Sequence, residues 1–283
     1  MDVFSDGEIP VILFKYGGNA MLDPDVQQKV LSNICSLKNS GFEVVLVHGG
    51  GPFIKELLKK VKVESEFIDG HRKTSPQALT YVEMALKGKV NGSLVRMINN
   101  LGFKAVGLSG KDGATVSAAK RYHLQKSPEG EVEIDLGQVG DVASIDPTLV
   151  HLLLKSDYIP VFTCIASDGE GNDFNINADM FAGHLAAALK ASQYVVLTDV
   201  PGLLRDKDDP STLVKHSDLE GLQDLIEGGI VQGGMIPKVE SCEIALKGGA
   251  QKARLINGTR PEEILSITKT PGAGTIITHS LLI

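Results

Sequence analysis

The sequence predicts an α/β fold: a three-layer sandwich around a mostly parallel central sheet, divided into two lobes. Three observations predict it. Apolar runs of strand length alternate with amphipathic stretches of helical period along the whole chain. The runs are continuously apolar, as strands covered on both faces are. Gly- and Asn-rich switches join these runs to the helical stretches, and no internal repeat or low-complexity tract breaks the alternation.

The elements follow in order. Pro10 to Lys15 reads as a buried strand. Asp23 caps a helix with Pro24 at its first position, Val26, Val30, Ile34 and Leu37 as its apolar stripe, and Gly41 at its end. Glu43 to His48 is a second strand. Gly49-Gly50-Gly51-Pro52 then opens a helix carrying Phe53, Leu57 and Val61. Ser75-Pro76 starts another helix, Asn91 to Leu101 lies in the next, and Lys104 to Leu108 is strand-like. Two extended pieces between Arg121 and Leu136, around Ser127-Pro128-Glu129-Gly130, read as a β-hairpin, either a flap over a cleft or a plain sheet-edge hairpin. Tyr158 to Thr163 is a strand, Ala178 to Ala191 a helix of small residues, and Tyr194 to Leu197 a strand. Ser217 and Glu220 have capping-box spacing ahead of a helix bearing Leu222, Leu225 and Ile226. Pro237 starts a helix with Val239, Cys242 and Leu246 inward, and Ala253 to Ile256 is a late strand. The best internal seam, near Ala191 to Tyr194, divides residues 1–192 from 193–283 as lobes sharing one sheet.

Composition narrows the function. The chain has 283 residues, 42% hydrophobic and 22% charged, enough for a large core. A net charge of -7 argues against a general nucleic-acid binder, while local lysines and backbone N–H groups still suit an anion in a cleft. No apolar stretch approaches the roughly 20 residues needed to span a bilayer. The acidic N-terminus lacks a secretory n-region. The three cysteines match no zinc or disulfide pattern, which points to a reducing cytoplasm, with Cys35 and Cys242 as packing residues.

Lys15, Asp179 and Lys238 each sit at a segment end beside flexible backbone, in Lys15-Tyr16-Gly17-Gly18-Asn19, Asn175-Ile176-Asn177-Ala178-Asp179 and Gly233-Gly234-Met235-Ile236-Pro237-Lys238. Two ammonium groups and a carboxylate so placed suit a multiply charged phosphoryl group. Taken singly, Lys15 reads equally as a solvated lysine and Asp179 as an ordinary N-cap. Three glycines at Gly49, Gly50 and Gly51, between strand and helix, allow close backbone approach to an anion. The loop is neither a Walker A nor a dinucleotide fingerprint. Arg72, in Gly70-His71-Arg72-Lys73-Thr74, offers a bidentate grip on a carboxylate or is a basic surface loop. Asn175 offers both donor and acceptor groups. Thr198-Asp199-Val200-Pro201-Gly202 is a strand-end turn able to hold a base or ribose, or a simple turn.

In their order these segments resemble the amino acid kinase family, across roughly Pro10 to Ile277, and within it the branch that phosphorylates N-acetyl-L-glutamate. The resemblance implies transfer of the ATP γ-phosphoryl group to the acceptor's γ-carboxylate, giving an acyl phosphate in arginine or ornithine synthesis. It assigns Lys15 and Lys238 to charge stabilisation and Asp179 to holding both lysines. It places Gly50, Gly51, Arg72 and Asn175 at the acceptor, in an acceptor lobe of residues 1–192. Thr198, Asp199, Val200, Gly202, Leu203, Ile230, Val231 and Gln232 fall where the family holds ATP, in a nucleotide lobe of residues 193–283. Mg²⁺ is implied with ATP, without an assigned protein ligand.

Three departures stand out. About nine residues precede the first strand, where arginine-inhibited members carry an extra helix that builds hexamers. Thr270-Pro271-Gly272-Ala273-Gly274-Thr275 also lacks the glutamate of their C-terminal motif. The expectation is a homodimer with weak or no arginine inhibition. Gly92-Ser93 stands where the family often has a lysine, with no account of its effect. Alternatives left open are the same fold acting on glutamate, aspartate, carbamate or uridylate, and a non-catalytic nucleotide or metabolite sensor.

Overall fold

A computed structural model describes residues 9–68, 71–127, 130–269 and 272–280. Gly70, the Pro128-Glu129 hairpin tip, Thr270-Pro271 and the acidic segment 1–8 lie outside the described residues. In chain order the first half contains β1 (Val11–Tyr16), α1 (Pro24–Asn39), β2 (Glu43–His48), α2 (Gly51–Lys60), β3 (Glu66–Ile68), β4 (His71–Lys73), α3 (Pro76–Glu83), α4 (Gly92–Asn100), β5 (Lys104–Ser109), β6 (Val116–Ser127) and β7 (Gly130–Ile145). The second half contains α5 (Thr148–Lys155), β8 (Tyr158–Thr163), β9 (Ile165–Ser167), β10 (Asp173–Ile176), α6 (Ala178–Ala188), β11 (Gln193–Thr198), β12 (His216–Asp218), α7 (Leu219–Glu227), α8 (Ile236–Lys247), β13 (Ala253–Asn257) and β14 (Thr275–Thr278).

The central sheet has eight strands in the order β12-β14-β13-β11-β1-β2-β8-β5. From β5 across to β13 every pairing is parallel, and β14 and β12 run the other way at one edge. Helices cover both faces. Ile12, Phe14 and Tyr16 pack with Val30, Leu31 and Ile34 of α1 and with Leu94 and Ile98 of α4. Leu13, Val45 and Val47 pack on the opposite face with Phe181 and Leu185 of α6 and Cys242 and Leu246 of α8. These are the three expected layers, and Cys35, Cys164 and Cys242 are buried in them. Among the described residues no helix is long and apolar enough to cross a membrane.

Local signals explain the element ends. Asp23 Oδ1 accepts from Asp25 N and Val26 N, closing the start of α1, and Gly41 follows the helix at a φ of 86°. Two helices differ from expectation. On α2 the deeply buried residues are Ile54 and Leu58, one position on from Phe53 and Leu57, because the helix packs against α3 rather than only onto the sheet. The cap of α7 is Asp218, whose Oδ1 accepts from Gly221 N at 2.8 Å; the Ser217 hydroxyl donates instead to Asp218 O at 3.1 Å, and with glycine three residues after Asp218 no reciprocal capping box forms.

The expected hairpin is β6–β7, which joins β9 and β10 in a small closed sheet beside the main one. Its register breaks around Arg121: Lys120 pairs with Gly140, while Tyr122 pairs with Asp135. The extra β7 residues bulge outward and clasp Thr74. Thr74 N donates to Leu136 O at 2.9 Å, and Gln138 N donates to Thr74 O at 2.6 Å. The bulge thereby anchors the strand that carries Arg72.

Candidate functional site

β1 is the switch point of the sheet, with β2 on one side and β11 on the other. In open α/β sheets the crevice at the carboxyl end of such a strand is where ligands bind. Side chains alternate along β1, so Lys15 emerges on the same face as Leu13, toward α6 and α8.

Asn177, not Asp179, caps α6. Its Oδ1 accepts from Asp179 N at 2.8 Å and Met180 N at 3.3 Å. The Asp179 carboxylate is left to face the lysines. Lys15 Nζ lies 2.9 Å from Oδ1, and Lys238 Nζ lies 3.5 Å from Oδ2. The Lys15 contact is charge pairing without hydrogen-bond alignment. Lys15 and Asp179 side chains are 8% and 7% exposed, so water screens this pair weakly. Burial alone raises the Asp179 carboxyl, but the charges of Lys15 and Lys238 outweigh it and hold the group below the usual carboxylate range. Burial, followed by the like charge of Lys15, pulls Lys238 below the usual lysine range; Asp179 offsets this only in part.

Helix geometry sharpens the balance. Asp179 lies in the first turn of α6, where a carboxylate suits the positive end of the helix dipole. Lys238 lies in the first turn of α8, where a cation does not. A multiply charged anion between the lysines would relieve both the repulsion between them and the misplaced charge on α8.

The two helices are held together by small residues and one polar chain. Tyr194 Oη sits 3.0 Å from Ser241 Oγ, which donates to Lys238 O at 2.7 Å. Tyr194 Oη also donates to Asp179 O at 3.4 Å. A Cβ on Gly183 would stand 2.6 Å from Ser241 O. Gly183→Ala is therefore expected to wedge α6 from α8, at a cost of about 1–3 kcal/mol. It should lower Tm in a thermal melt. A wild-type Tm would show that the close approach is dispensable.

Three cavities meet around this centre. One, of about 400 Å³, is lined by Lys15, Gly17, Gly18, Thr198, Asp199, Val200 and Lys238. A second, of about 340 Å³, shares Lys15, Gly17 and Gly18 and extends past Gly50, Gly51, Arg72, Asn175 and Asp179. A third, of about 600 Å³, shares Val200 with the first and is lined by Gly202, Leu203, Ile230 and Gln232. Each falls within the roughly 300–1,000 Å³ of small-molecule sites. Val231 lines none of these three; it packs in the core, its N–H donating to Leu225 O. A Cβ on Gly50 would stand 2.6 Å from Leu86 Cδ2, so a larger residue there requires the Leu86 side chain to shift.

Arg72 stands on the β3–β4 hairpin with its guanidinium 4.5 Å above the Phe67 ring and its Nη1 donating to Ser65 Oγ. Sequence reasoning did not single out Arg121, Asp141 or Phe67, which also line the second cavity, or Met235, which lines the first and third. Arg121 Nη1 and Asp141 Oδ1 are 2.7 Å apart. The hairpin base thus walls the cavity. Its broken register, which no local motif announces, turns Arg121 inward.

Comparison with known proteins gives a consistent picture. The model of the Amino acid kinase family matches residues 10–257. An acetylglutamate kinase from Pelotomaculum thermopropionicum is 43% identical over 94% of this chain and 91% of its own length. One from Archaeoglobus fulgidus is 42% identical, covering 94% and 92%. Giardia carbamate kinase has the same fold, with a TM-score of 0.70 at 18% identity over 98% of this chain and 100% of that one.

Proposed function

This chain belongs to the amino acid kinase family, and from that premise we propose that it transfers the γ-phosphoryl group of ATP to the γ-carboxylate of N-acetyl-L-glutamate, an acyl-phosphate-forming step of arginine biosynthesis. The observation that carries this reading is the Lys15–Asp179–Lys238 cluster, where the first and second cavities adjoin. The nearly full-length similarity to acetylglutamate kinases supports the choice of acceptor.

The chemistry suits the residues. A carboxylate is already a nucleophile at neutral pH, so no general base is required. The obstacle is repulsion between acceptor and triphosphate, and phosphoryl transfer depends on positioning and charge stabilisation. Lys15 and Lys238 supply the positive charge at the transferring group, and Asp179 keeps both ammonium groups aimed there. Helix N-termini at Gly51 on α2 and Ala178 on α6 add backbone N–H donors around the acceptor cavity. Arg72 takes the α-carboxylate, and Asn175 offers an amide partner for the acetamido group. Thr198, Asp199, Val200, Gly202, Leu203, Ile230 and Gln232 line the ATP side, with Val231 supporting them from the core.

Magnesium would neutralise charge on the triphosphate. Among the described residues no group of three or more metal-ligating side chains forms a dedicated cage. Asp199 is the carboxylate in the wall of the first cavity, a donor set that fits an ion carried mainly by phosphate oxygens and water.

The test is ATP consumption with Mg²⁺ and, in turn, N-acetyl-L-glutamate, glutamate, aspartate, carbamate and uridylate. The highest kcat/KM is expected with N-acetyl-L-glutamate; preference for another acceptor would overturn the assignment. Arg72→Lys keeps the charge but loses the fork and the ring contact. It should raise the acceptor KM by about 10- to 100-fold, the weight of a charged hydrogen bond, with the KM for ATP unchanged. Equal changes in both constants would move Arg72 away from the acceptor. The reading includes a cytoplasmic homodimer with weak or no arginine inhibition; a hexamer in light scattering, or strong inhibition by arginine, would contradict it.

A further inference from the structure

Behind the glycine loop lies a buried polar chain that the transfer chemistry does not use directly. His48, the last residue of β2, is fully buried. Its Nδ1 is 2.8 Å from Gly49 O, and its Nε2 is 2.9 Å from Asn91 Nδ2. Asn91 Nδ2 also donates to Val161 O at 2.8 Å. Asn91 ends a π-helix, Met84–Asn91, between α3 and α4. Its Oδ1 sits against Gly107 of β5 so closely that a Cβ there could not be accommodated.

The donors and acceptors leave one arrangement. A carbonyl only accepts, so the hydrogen in the Gly49 contact is on Nδ1. The Asn91 amide nitrogen donates both its hydrogens, one to Val161 O and one to Nε2, so Nε2 carries none. The ring is then a neutral Nδ1–H tautomer, in keeping with burial pushing the imidazole down to about 4. The C=O and N–H of one trans peptide point in opposite directions. Holding Gly49 O toward the His48 ring therefore aims Gly50 N–H the other way, toward the acceptor cavity that Gly50 lines.

We propose that His48 and Asn91 are positioning residues for the acceptor: Asn91 selects the His48 tautomer, and His48 locks the Gly49–Gly50 peptide so that the Gly50 amide faces the incoming carboxylate. The inference rests on the reading of the second cavity as the acceptor site. The device is one of tautomer choice, so it predicts differences between variants of similar size. His48→Asn retains a donor near the Nδ1 position and can still hold Gly49 O. His48→Gln carries its amide out toward the Nε2 position and cannot.

Nitrogen-15 NMR of histidine-labelled wild-type protein is expected to show His48 as the neutral Nδ1–H form. Steady-state kinetics should then give a His48→Gln acceptor KM raised by about tenfold, the weight of one aimed hydrogen bond. His48→Asn should stay within about threefold of wild type, and the KM for ATP within about twofold in both variants. An Nε2–H tautomer, or equal acceptor KM values for the two variants, would overturn the proposal. The NMR measurement needs neither substrate nor a folded variant. It therefore separates failure of this inference from a wrong choice of acceptor, and the KM comparison applies to whichever acceptor proves active.

Discussion

Lys238→Ala should lower kcat by at least about 100-fold, the usual loss when one preorganised donor is removed from such a site. Folding should survive the change. Truncation deletes a cation that is largely buried, repelled by Lys15 and placed at the positive end of α8. Asp179 still keeps Lys15 at 2.9 Å. Near-native CD and Tm alongside a collapsed kcat is the expected combination; a kcat within tenfold of wild type would remove Lys238 from the mechanism. The alkaline limb of the pH profile offers a second reading of the same group. Lys238 must be protonated to act, and burial with the Lys15 charge lowers it. In kcat/KM, which reports the free enzyme, activity is therefore full below the folded-state pKa and lost as pH rises through it, at a pH under the ordinary lysine range. Lys238→Arg, which stays protonated, should abolish that limb whatever its residual rate.

Asp179→Asn is expected to damage both stability and turnover. The side chain keeps its shape, but two ammonium groups lose their common counter-charge in a poorly screened site. Removing one member of a buried ion cluster costs about 3–5 kcal/mol, which for a chain of this size lowers Tm by at least about 5 °C. Turnover should fall by about 100-fold or more, because the ammonium groups are no longer held together. The pH dependence fixes the sign. The folded carboxyl lies below its ordinary value, so its contribution is complete above the ordinary carboxylate range and fades as pH falls through the folded-state pKa. The Tm gap between wild type and variant should thus narrow in acid. Phosphate should restore part of the variant's Tm by supplying the missing negative charge. An unchanged Tm at neutral pH would mean that the lysines do not depend on Asp179.

Much of the fold was legible because its signals are local. The apolar runs at Glu43–His48 and Tyr158–Thr163 became strands with those bounds, and Asp23-Pro24 and Ser75-Pro76 opened helices as their chemistry requires. Misjudged details were those set by neighbours. The α2 face turned by a residue to meet α3, and the α7 cap passed to Asp218, with the Ser217 hydroxyl donating to Asp218 O instead. The Arg121 bulge left no trace in spacing, since it depends on Thr74 arriving from another element. The same holds for Tyr194, which joins Asp179 and Lys238 through Ser241.

By itself, the sequence determined which groups are available and at which segment ends they stand: Lys15 closing a strand, three glycines before α2, Asp179 and Lys238 in the first turns of helices. Those facts follow from nearest-neighbour chemistry, which a linear chain already contains. Only the tertiary structure decided that α6 and α8 approach at Gly183 and Ser241, bringing residues 59 positions apart into charge contact. The capping of α6 by Asn177 is local, a contact with Asp179 N and Met180 N, and it leaves the Asp179 carboxylate free to meet the lysines. The approach of α6 and α8 depends on packing between distant segments, and the strength of the charge pairing depends on burial, which exists only once those segments have met.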